Sequence, residues 1–135
     1  MLALKNGETI EQPVYCFKTH NRIAKTISIS PKKILIIEGI LIMNYPKLRS
    51  LFDLKVFIDA HNDIRMERRV SRDITERGRT PEEVLERYLK TLKPMHQQFI
   101  DPMKVHADYV LENSSFNENL KKVTALINHF NSIFV

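Results

Sequence analysis

The sequence predicts an α/β fold in which a mostly parallel sheet is flanked by helices. Two apolar runs, ILII at 34–37 and LKVFID at 54–59, lack polar alternation, which is typical of strands that are covered on both faces. Segments of helical periodicity lie between and after these runs, and this alternation indicates a layered α/β architecture. The chain has 135 residues, a length that suits a single domain spanning residues 1–135.

The N-terminal part of the chain predicts a short helical turn followed by extended segments. In the opening LALKNG, Gly7 stands at the left-handed position that often ends a helix. Pro13 fixes its own φ and biases Gln12 towards the extended region, so we expect the EQPVYCF segment to be extended. TISIS at 26–30 alternates polar and apolar residues with period two, which predicts a half-buried strand.

Helical patterns dominate the rest of the sequence. Met66, Val70 and Ile74 recur at a spacing of four, which predicts a helix with an apolar stripe and arginines on the opposite face. A second helix is expected to begin at Thr80, because threonine, then proline, then Glu83 provide an N-cap, a first helical residue and a capping box. Two further elements are predicted, a weaker third strand at 107–112 and an amphipathic helix at 117–134.

Composition indicates a soluble protein. Hydrophobic residues make up 43% and charged residues 27% of the chain, which is the balance of a globular domain. No apolar run approaches the roughly 20 residues that span a bilayer, and the first residues lack the pattern of a signal peptide. The single cysteine, Cys16, allows no intrachain disulfide, so we expect a cytoplasmic protein. The net charge of +5 is compatible with a polyanionic partner.

Arginines are concentrated in the segment RRVSRDITERGR, residues 68–79. Every basic residue in this segment is arginine, whose guanidinium group binds phosphate oxygens in a bidentate manner. The segment crosses a break between two predicted helices at Gly78, and such an arrangement can close over phosphates as a lid. The simpler alternative is a solvated basic face that is partly neutralised by neighbouring acids, which is the commoner explanation for an arbitrary basic helix.

The positions of three further residues in the sequence make them candidates for a functional site. Glu38 follows the apolar run at 34–37, and the carboxyl end of a strand is where phosphate-transfer enzymes hold Mg²⁺. Tyr15 and His20 place an aromatic ring and an imidazole in one segment, although ordinary packing is the better explanation for either residue taken singly. The remaining histidines show no metal-ligand spacing.

Five segments, in this order and spacing, resemble the uridine/cytidine kinases, which are pyrimidine-salvage enzymes of the P-loop kinase superfamily. They are EQPVYCFKTHNR, ILIIEGIL, LKVFID, RRVSRDITERGRTPEEVLERY and KPMHQQFIDPMKVHADYVL. The resemblance implies a P-loop-kinase-like sheet with an arginine-rich helical lid at about 65–92. It also implies transfer of the γ-phosphate of ATP or GTP to the 5′-hydroxyl of uridine or cytidine, with Mg²⁺ as the metal.

The same resemblance implies a nucleoside pocket and a metal ligand near the N-terminus. Tyr15, Phe17 and His20 would line the pocket, with His20 addressing the base. Glu38 would be the acidic partner of Mg²⁺.

The resemblance also implies roles for the arginines. Arg69 and Arg72 would lie between nucleoside and phosphates as catalytic residues, with Arg72 near the transferring group. Arg77 and Arg79 would belong to the lid over ATP, and Arg87 would contact the substrate.

The chain departs from the family pattern in three ways. Cys16 stands where the family usually has aspartate, and Arg87 stands where many members have glutamine, so the contacts expected at both positions are altered. The phosphate loop G-x-x-x-x-G-K-[ST] is absent, because the three glycines of the chain cannot form it. We therefore expect the chain to correspond to the C-terminal two-thirds of such a kinase, without the N-terminal P-loop unit, and to be inactive alone.

Two alternatives from other classes stay open at this point. The first is a non-catalytic remnant or subunit, which binds nucleotide weakly or assembles with an intact kinase. The second is a nucleic-acid-binding protein. The second is the less favoured, because no recognised motif or aromatic platform accompanies the arginines. The resemblance further implies a homo-oligomer, a tetramer, that binds nucleoside and nucleotide but neither nucleic acid nor membrane.

Overall fold

The computed structural model describes residues 1–16, 19–113 and 116–134. Contacts divide the chain into two compact units, Met1–Gly39 and Ile40–Val135. The helices and strands, in chain order, are α1 (Leu2–Lys5), β1 (Ile10–Cys16), β2 (Asn21–Ile29), α2 (Pro46–Arg49), β3 (Val56–Asp59), α3 (Asn62–Arg77), α4 (Pro81–Arg87), α5 (Lys93–Met95), β4 (Tyr109–Glu112) and α6 (Phe116–Phe134). Shorter 3₁₀ and π-helical segments are Ile42–Asn44, Tyr88–Leu92, His96–Ile100 and Asp101–His106.

The first unit is built around an antiparallel hairpin of β1 and β2. Ile10 lies opposite Ile29, and the register shifts after Pro13, which cannot donate a ladder hydrogen bond. The predicted extended segments are therefore confirmed, as is the left-handed Gly7 after α1. The predicted half-burial of β2 is wrong, because Ile27 is 53% exposed and the strand is solvent-exposed almost throughout.

The strand predicted at 34–37 is not formed in this structure. Residues 31–39 adopt neither helix nor strand, and Ile36 is 87% exposed. A strand requires a hydrogen-bonded neighbour, and none of the strands in the described ranges pairs with this segment. The apolar composition of residues 34–37 predicted a burial that the described residues do not provide. Glu38 therefore follows an irregular segment and not a strand.

The second unit contains a parallel sheet of β3 and β4. Val56 pairs with Tyr109 and Asp59 with Glu112, which confirms both predicted strands and their parallel direction. Within the described residues this sheet has two strands, and it is covered on one face, since Phe57 is buried while Ile58 is 67% exposed. The expectation of strands covered on both faces is thus wrong, and the parallel sheet is smaller than predicted.

The core of the second unit lies against β3. Met43, Phe57 and Met103 form the buried cluster, and partly buried side chains of Ile42 and Ile100 pack against it. Burying a side chain of this size contributes roughly 1.5–3 kcal/mol. The two methionines come from 3₁₀ segments, so irregular helices rather than long ones close this side of the sheet.

Helices α3 and α4 meet at a sharp break. Gly78 ends α3 with φ 62° and ψ 27°, the left-handed conformation that glycine adopts without strain. Thr80 then caps α4: its hydroxyl accepts from the Glu83 amide at 3.3 Å, and its own amide donates to the Glu83 carboxylate at 3.1 Å. The predicted helices, break and capping box are all confirmed.

The C-terminal helix α6 confirms the amphipathic helix predicted at 117–134. Across the described ranges, no helix combines the length and the apolar character needed to cross a bilayer.

Candidate functional site

A buried carboxylate, Asp73, lies at the centre of the arginine-rich segment. Asp73 is only 1% exposed. Its Oδ2 accepts from Nε of Arg69 at 2.9 Å, its Oδ1 accepts from Nη1 of Arg77 at 2.8 Å, and Nη1 of Arg79 lies 3.6 Å from Oδ2. Arg69 and Arg77 reach it because residues four apart on a helix share a face. One acid therefore gathers three arginines around the break.

The geometry of the break brings Arg79 back towards α3. The amide of Arg79 donates to the backbone oxygen of Asp73 at 3.2 Å, across the left-handed Gly78. No atom lies within 4 Å of where a Cβ on Gly78 would stand. Glycine is therefore favoured here by the left-handed backbone and not by lack of space.

Asp73 is held in its charged form. Burial is the largest single influence and raises the pKa of Asp73, but the hydrogen bond from Arg69 and the charges of Arg69, Arg77 and Arg79 together lower it below its ordinary 3.8. One carboxylate cannot neutralise three guanidinium groups, so the cluster keeps a net positive charge. Each guanidinium has five N–H donors, and most of them are not used by Asp73. The cluster is thus suited to an anion with several oxygens.

Arg72 lies on the outer side of α3, away from Asp73. It lines an open groove of about 550 Å³ along α3 together with Arg68 and the two acids Glu67 and Glu76. Among the side chains that the structure describes, no carboxylate forms an ion pair with Arg72, whereas Arg68 donates to the backbone oxygen of Asn113 at 3.2 Å. The guanidinium of Arg72 is therefore accessible to a ligand.

The nucleoside candidates lie at the turn end of the β1–β2 hairpin. Tyr15 pairs with Arg22 in the register and is 46% exposed, and His20 is exposed in the connecting turn. His20 has φ 52°, which is uncommon for a residue with a side chain and often marks a functional position. Phe17 lies outside the described residues.

Glu38 and Arg87 are both exposed. In the described part of the chain, no group of three or more His, Cys, Asp or Glu side chains is placed to hold a metal. A single carboxylate nevertheless suits Mg²⁺, which keeps several waters and is usually bound by one or two carboxylates plus substrate phosphates. Glu38 fits that limited role.

The predicted residues thus form separate groups. Arg69, Arg77 and Arg79 meet around Asp73, while Arg72 occupies the outer groove and Arg87 is the last residue of α4. The remaining described candidates belong to the other unit and are Tyr15, His20 and Glu38. Asp73 was not predicted as a site residue, although its spacing of four from two arginines was a visible signal.

A second polar cluster lies at the carboxyl end of β3. Nζ of Lys104 is 2.7 Å from Oδ2 of Asp59 and 3.3 Å from Oδ1 of Asp101, and Arg65 lies with them around a cleft of about 180 Å³. His96 contacts both Arg65 and Asp101. The hydrogen bond from Lys104 to Asp59 is the main cause that raises the pKa of Lys104. Two basic and two acidic side chains balance within this cluster, so it ties elements together and carries no net charge.

Comparison with known proteins adds an independent observation. Residues 1–119 match the model of the phosphoribulokinase / uridine kinase family. The chain is 47% identical over 116 residues to a uridine kinase of Clostridium perfringens, which covers 86% of this chain and 56% of that protein.

Two further relatives are similar to the same extent. A uridine kinase of Halalkalibacterium halodurans is 48% identical over 115 residues, covering 85% of this chain and 54% of the relative. A uridine kinase of Shewanella baltica is 47% identical over 114 residues, with 84% and 54% covered. The chain spans about half the length of the curated relatives it matches.

Proposed function

The chain belongs to the phosphoribulokinase / uridine kinase family, and from this premise we propose that it serves in phosphoryl transfer from ATP or GTP to the 5′-hydroxyl of uridine or cytidine. The products would be UMP or CMP, formed in pyrimidine salvage. The observation that carries the proposal is the gathering of Arg69, Arg77 and Arg79 around one buried acid at a helix break. A net positive cluster with unused donors suits a polyphosphate.

The arginines would have different roles at the phosphates. Arg77 and Arg79, at the break, would close over the nucleotide as part of the lid. Arg69 would lie between nucleoside and phosphates. Arg72 forms no ion pair among the described residues, although Glu67 and Glu76 line the same groove, so its guanidinium group would be available to stabilise the charge that develops on the transferring group.

The hairpin would bind the nucleoside. Tyr15 and Phe17 would pack against the base and sugar, and His20 would donate or accept a hydrogen bond to the base. Arg87 would contact the substrate from the end of α4. The chemistry requires only positioning and charge stabilisation from these residues, because phosphoryl transfer needs little covalent participation from the protein.

Mg²⁺ would neutralise part of the phosphate charge when bound. Glu38 would supply one oxygen ligand, and water and phosphate oxygens would supply the others.

The 135 residues alone are proposed to be inactive. The phosphate loop of the superfamily supplies most of the backbone N–H donors to the β- and γ-phosphates, and the glycines Gly7, Gly39 and Gly78 cannot form it. The exposed apolar run at 34–37 would also make the isolated chain poorly soluble or oligomeric.

A comparison of two proteins tests the proposal. The chain is assayed for UMP formation from uridine and Mg-ATP, alone and in a chimera preceded by the N-terminal segment of the Clostridium perfringens relative. We expect no product from the chain and measurable product from the chimera. A folded chimera that binds ATP but makes no UMP would instead support the non-catalytic alternative, a subunit or remnant. Tight RNA binding with a steep salt dependence and no ATP preference would support the nucleic-acid alternative.

A further inference from the structure

We propose that Asp73 is a positioning residue: it fixes Arg69, Arg77 and Arg79 around the helix break so that their unused donors are available to one polyphosphate anion. This inference rests on the proposed phosphoryl-transfer function and adds a residue to it. Asp73 itself contacts no substrate, because an anion would be repelled by its carboxylate.

The first step is the way the arginines share the acid. Arg69 uses Nε, whereas Arg77 and Arg79 each direct Nη1 at it. Each guanidinium thus keeps other N–H groups for a second acceptor. A carboxylate in this position replaces the repulsion among three like charges by attraction to one centre.

The second step concerns which partners are fixed and which reach solvent. Asp73 is 1% exposed and cannot swing outwards, while the side chains of Arg69, Arg77 and Arg79 are 25%, 45% and 34% exposed. Each arginine is therefore anchored inside and open to solvent at the same time. Side chains that are ordered before binding lose less conformational entropy when a ligand arrives.

The third step separates positioning from simple electrostatics. If Asp73 only reduced the local positive charge, its removal would strengthen the binding of any polyphosphate. If Asp73 positions the arginines, its removal weakens that binding although the protein becomes more positive. The two explanations therefore predict opposite signs for the same substitution.

The experiment compares Asp73→Asn with Asp63→Asn by calorimetry, using inorganic tripolyphosphate as the probe. Asp63 is the matched control, since it lies on α3, is 84% exposed and undergoes the same change of charge. We expect Asp73→Asn to weaken binding roughly 10-fold. The Asp63→Asn protein should bind as the unaltered chain does, or slightly more tightly. Equal or tighter binding by folded Asp73→Asn protein overturns the inference.

A measurement on the unaltered chain keeps the inference testable if Asp73→Asn does not fold. Nitrogen-15 NMR compares the exchange of the Nε–H proton of Arg69, which is bonded to Asp73, with that of Arg72, and Arg69 should exchange roughly 10-fold more slowly. Equal rates overturn the inference whatever the binding result. Slow exchange at Arg69 in a chain that does not bind tripolyphosphate overturns the inference that the cluster serves a polyphosphate anion, whereas the proposed function fails separately, if the folded chimera makes no UMP.

Discussion

Nζ of Lys104 lies 2.7 Å from Oδ2 of Asp59, which joins the last 3₁₀ segment to the end of β3. The same ammonium group lies 5.5 Å from the ring centre of Phe57, so the pair stands beside the core. Burial is the largest single influence on Asp59 and raises its pKa, but the hydrogen bond and charge of Lys104, the amide of Ala60 and the charge of Arg65 together lower the pKa overall. The ion pair is thus favourable in the folded protein.

Replacing Lys104 by methionine should destabilise the protein by about 1 kcal/mol. Methionine has a side chain of similar length but carries no charge, so it loses the contact of the ammonium group with the Phe57 ring and leaves the half-buried Asp59 without the cation that is bonded to it. Lys90→Met is the control, because Lys90 pairs with Glu86 at the surface with 73% and 63% exposure and should contribute at most about 0.5 kcal/mol. Urea unfolding measures the free energy of unfolding of both variants. An equal decrease for Lys104→Met and Lys90→Met would show that the Lys104–Asp59 pair contributes no more than a surface pair.

The stability contributed by His96 should fall as the pH falls. Burial is the main cause that lowers the pKa of His96 below 6.5, the charge of Arg65 lowers it further, and Asp101 offsets part of the effect. A neutral ring with the proton on Nδ1 satisfies both neighbours, since it donates to Asp101 and accepts from Arg65. The folded state thus favours the neutral form, whose contribution is present above pH 6.5 and is lost as the pH falls through the folded pKa.

The measurement is urea unfolding of the unaltered chain and of His96→Gln between about pH 7.5 and about pH 5. The unfolding free energies of the two proteins should converge as the pH decreases. The acids with lowered pKa values titrate below this window, so they affect both proteins equally. A difference that widens at low pH would contradict the assignment of a neutral ring.

Arg72→Lys in the active chimera should lower kcat far more than nucleoside affinity. Lysine keeps the charge but loses the planar fork that stabilises a transferring phosphoryl group, and losses of arginines in this role are of the order of 10³ in kcat. Arg68→Lys is the control, because Arg68 contacts a backbone oxygen on the same face. A decrease of less than about threefold for Arg72→Lys would favour a solvated basic face.

His20→Ala in the same chimera should raise the KM for uridine roughly 5- to 100-fold, as expected for the loss of a hydrogen bond that the bound base would shield from solvent. Alanine also strains the backbone at φ 52°, whereas glycine does not. His20→Gly therefore serves as the second variant: an equal rise in KM for both assigns the effect to the imidazole. Unaltered KM in His20→Gly would remove the side chain from the nucleoside site.

Local signals in the sequence predicted the local structure well. The Thr80–Glu83 capping box, the Gly78 break and the stripe of α3 are each determined by residues within one or two helical turns. The prediction of a buried strand at 34–37 was wrong because such a strand needs neighbouring strands to pair with, and the pattern of the segment itself carries no information about them. Burial is a property of the partners as much as of the segment.

The sequence predicted the charged residues of the candidate site, but it did not predict how they are arranged around one another. The arginines of the lid were visible as a composition signal, and the residue that gathers them was counted only as a neutralising neighbour. Asp73 could have been found by helical spacing, whereas Arg79 could not, because its approach depends on the left-handed turn at Gly78. Roles that came from family resemblance, such as those of Tyr15 and Glu38, stay predictions.

The parallel pairing of β3 with β4 also has a consequence for the order of folding. Residues 53 positions apart meet where the Lys55 amide donates to Asp108, so the sheet closes a long loop that contains α3, α4 and α5. The entropy lost on closing a loop rises with the logarithm of its length, and contacts distant in sequence form slowly. We therefore expect the helical turns between the strands to form before the strands meet. Amide hydrogens of β3 and β4 should then exchange through one shared opening event, with equal protection on both strands.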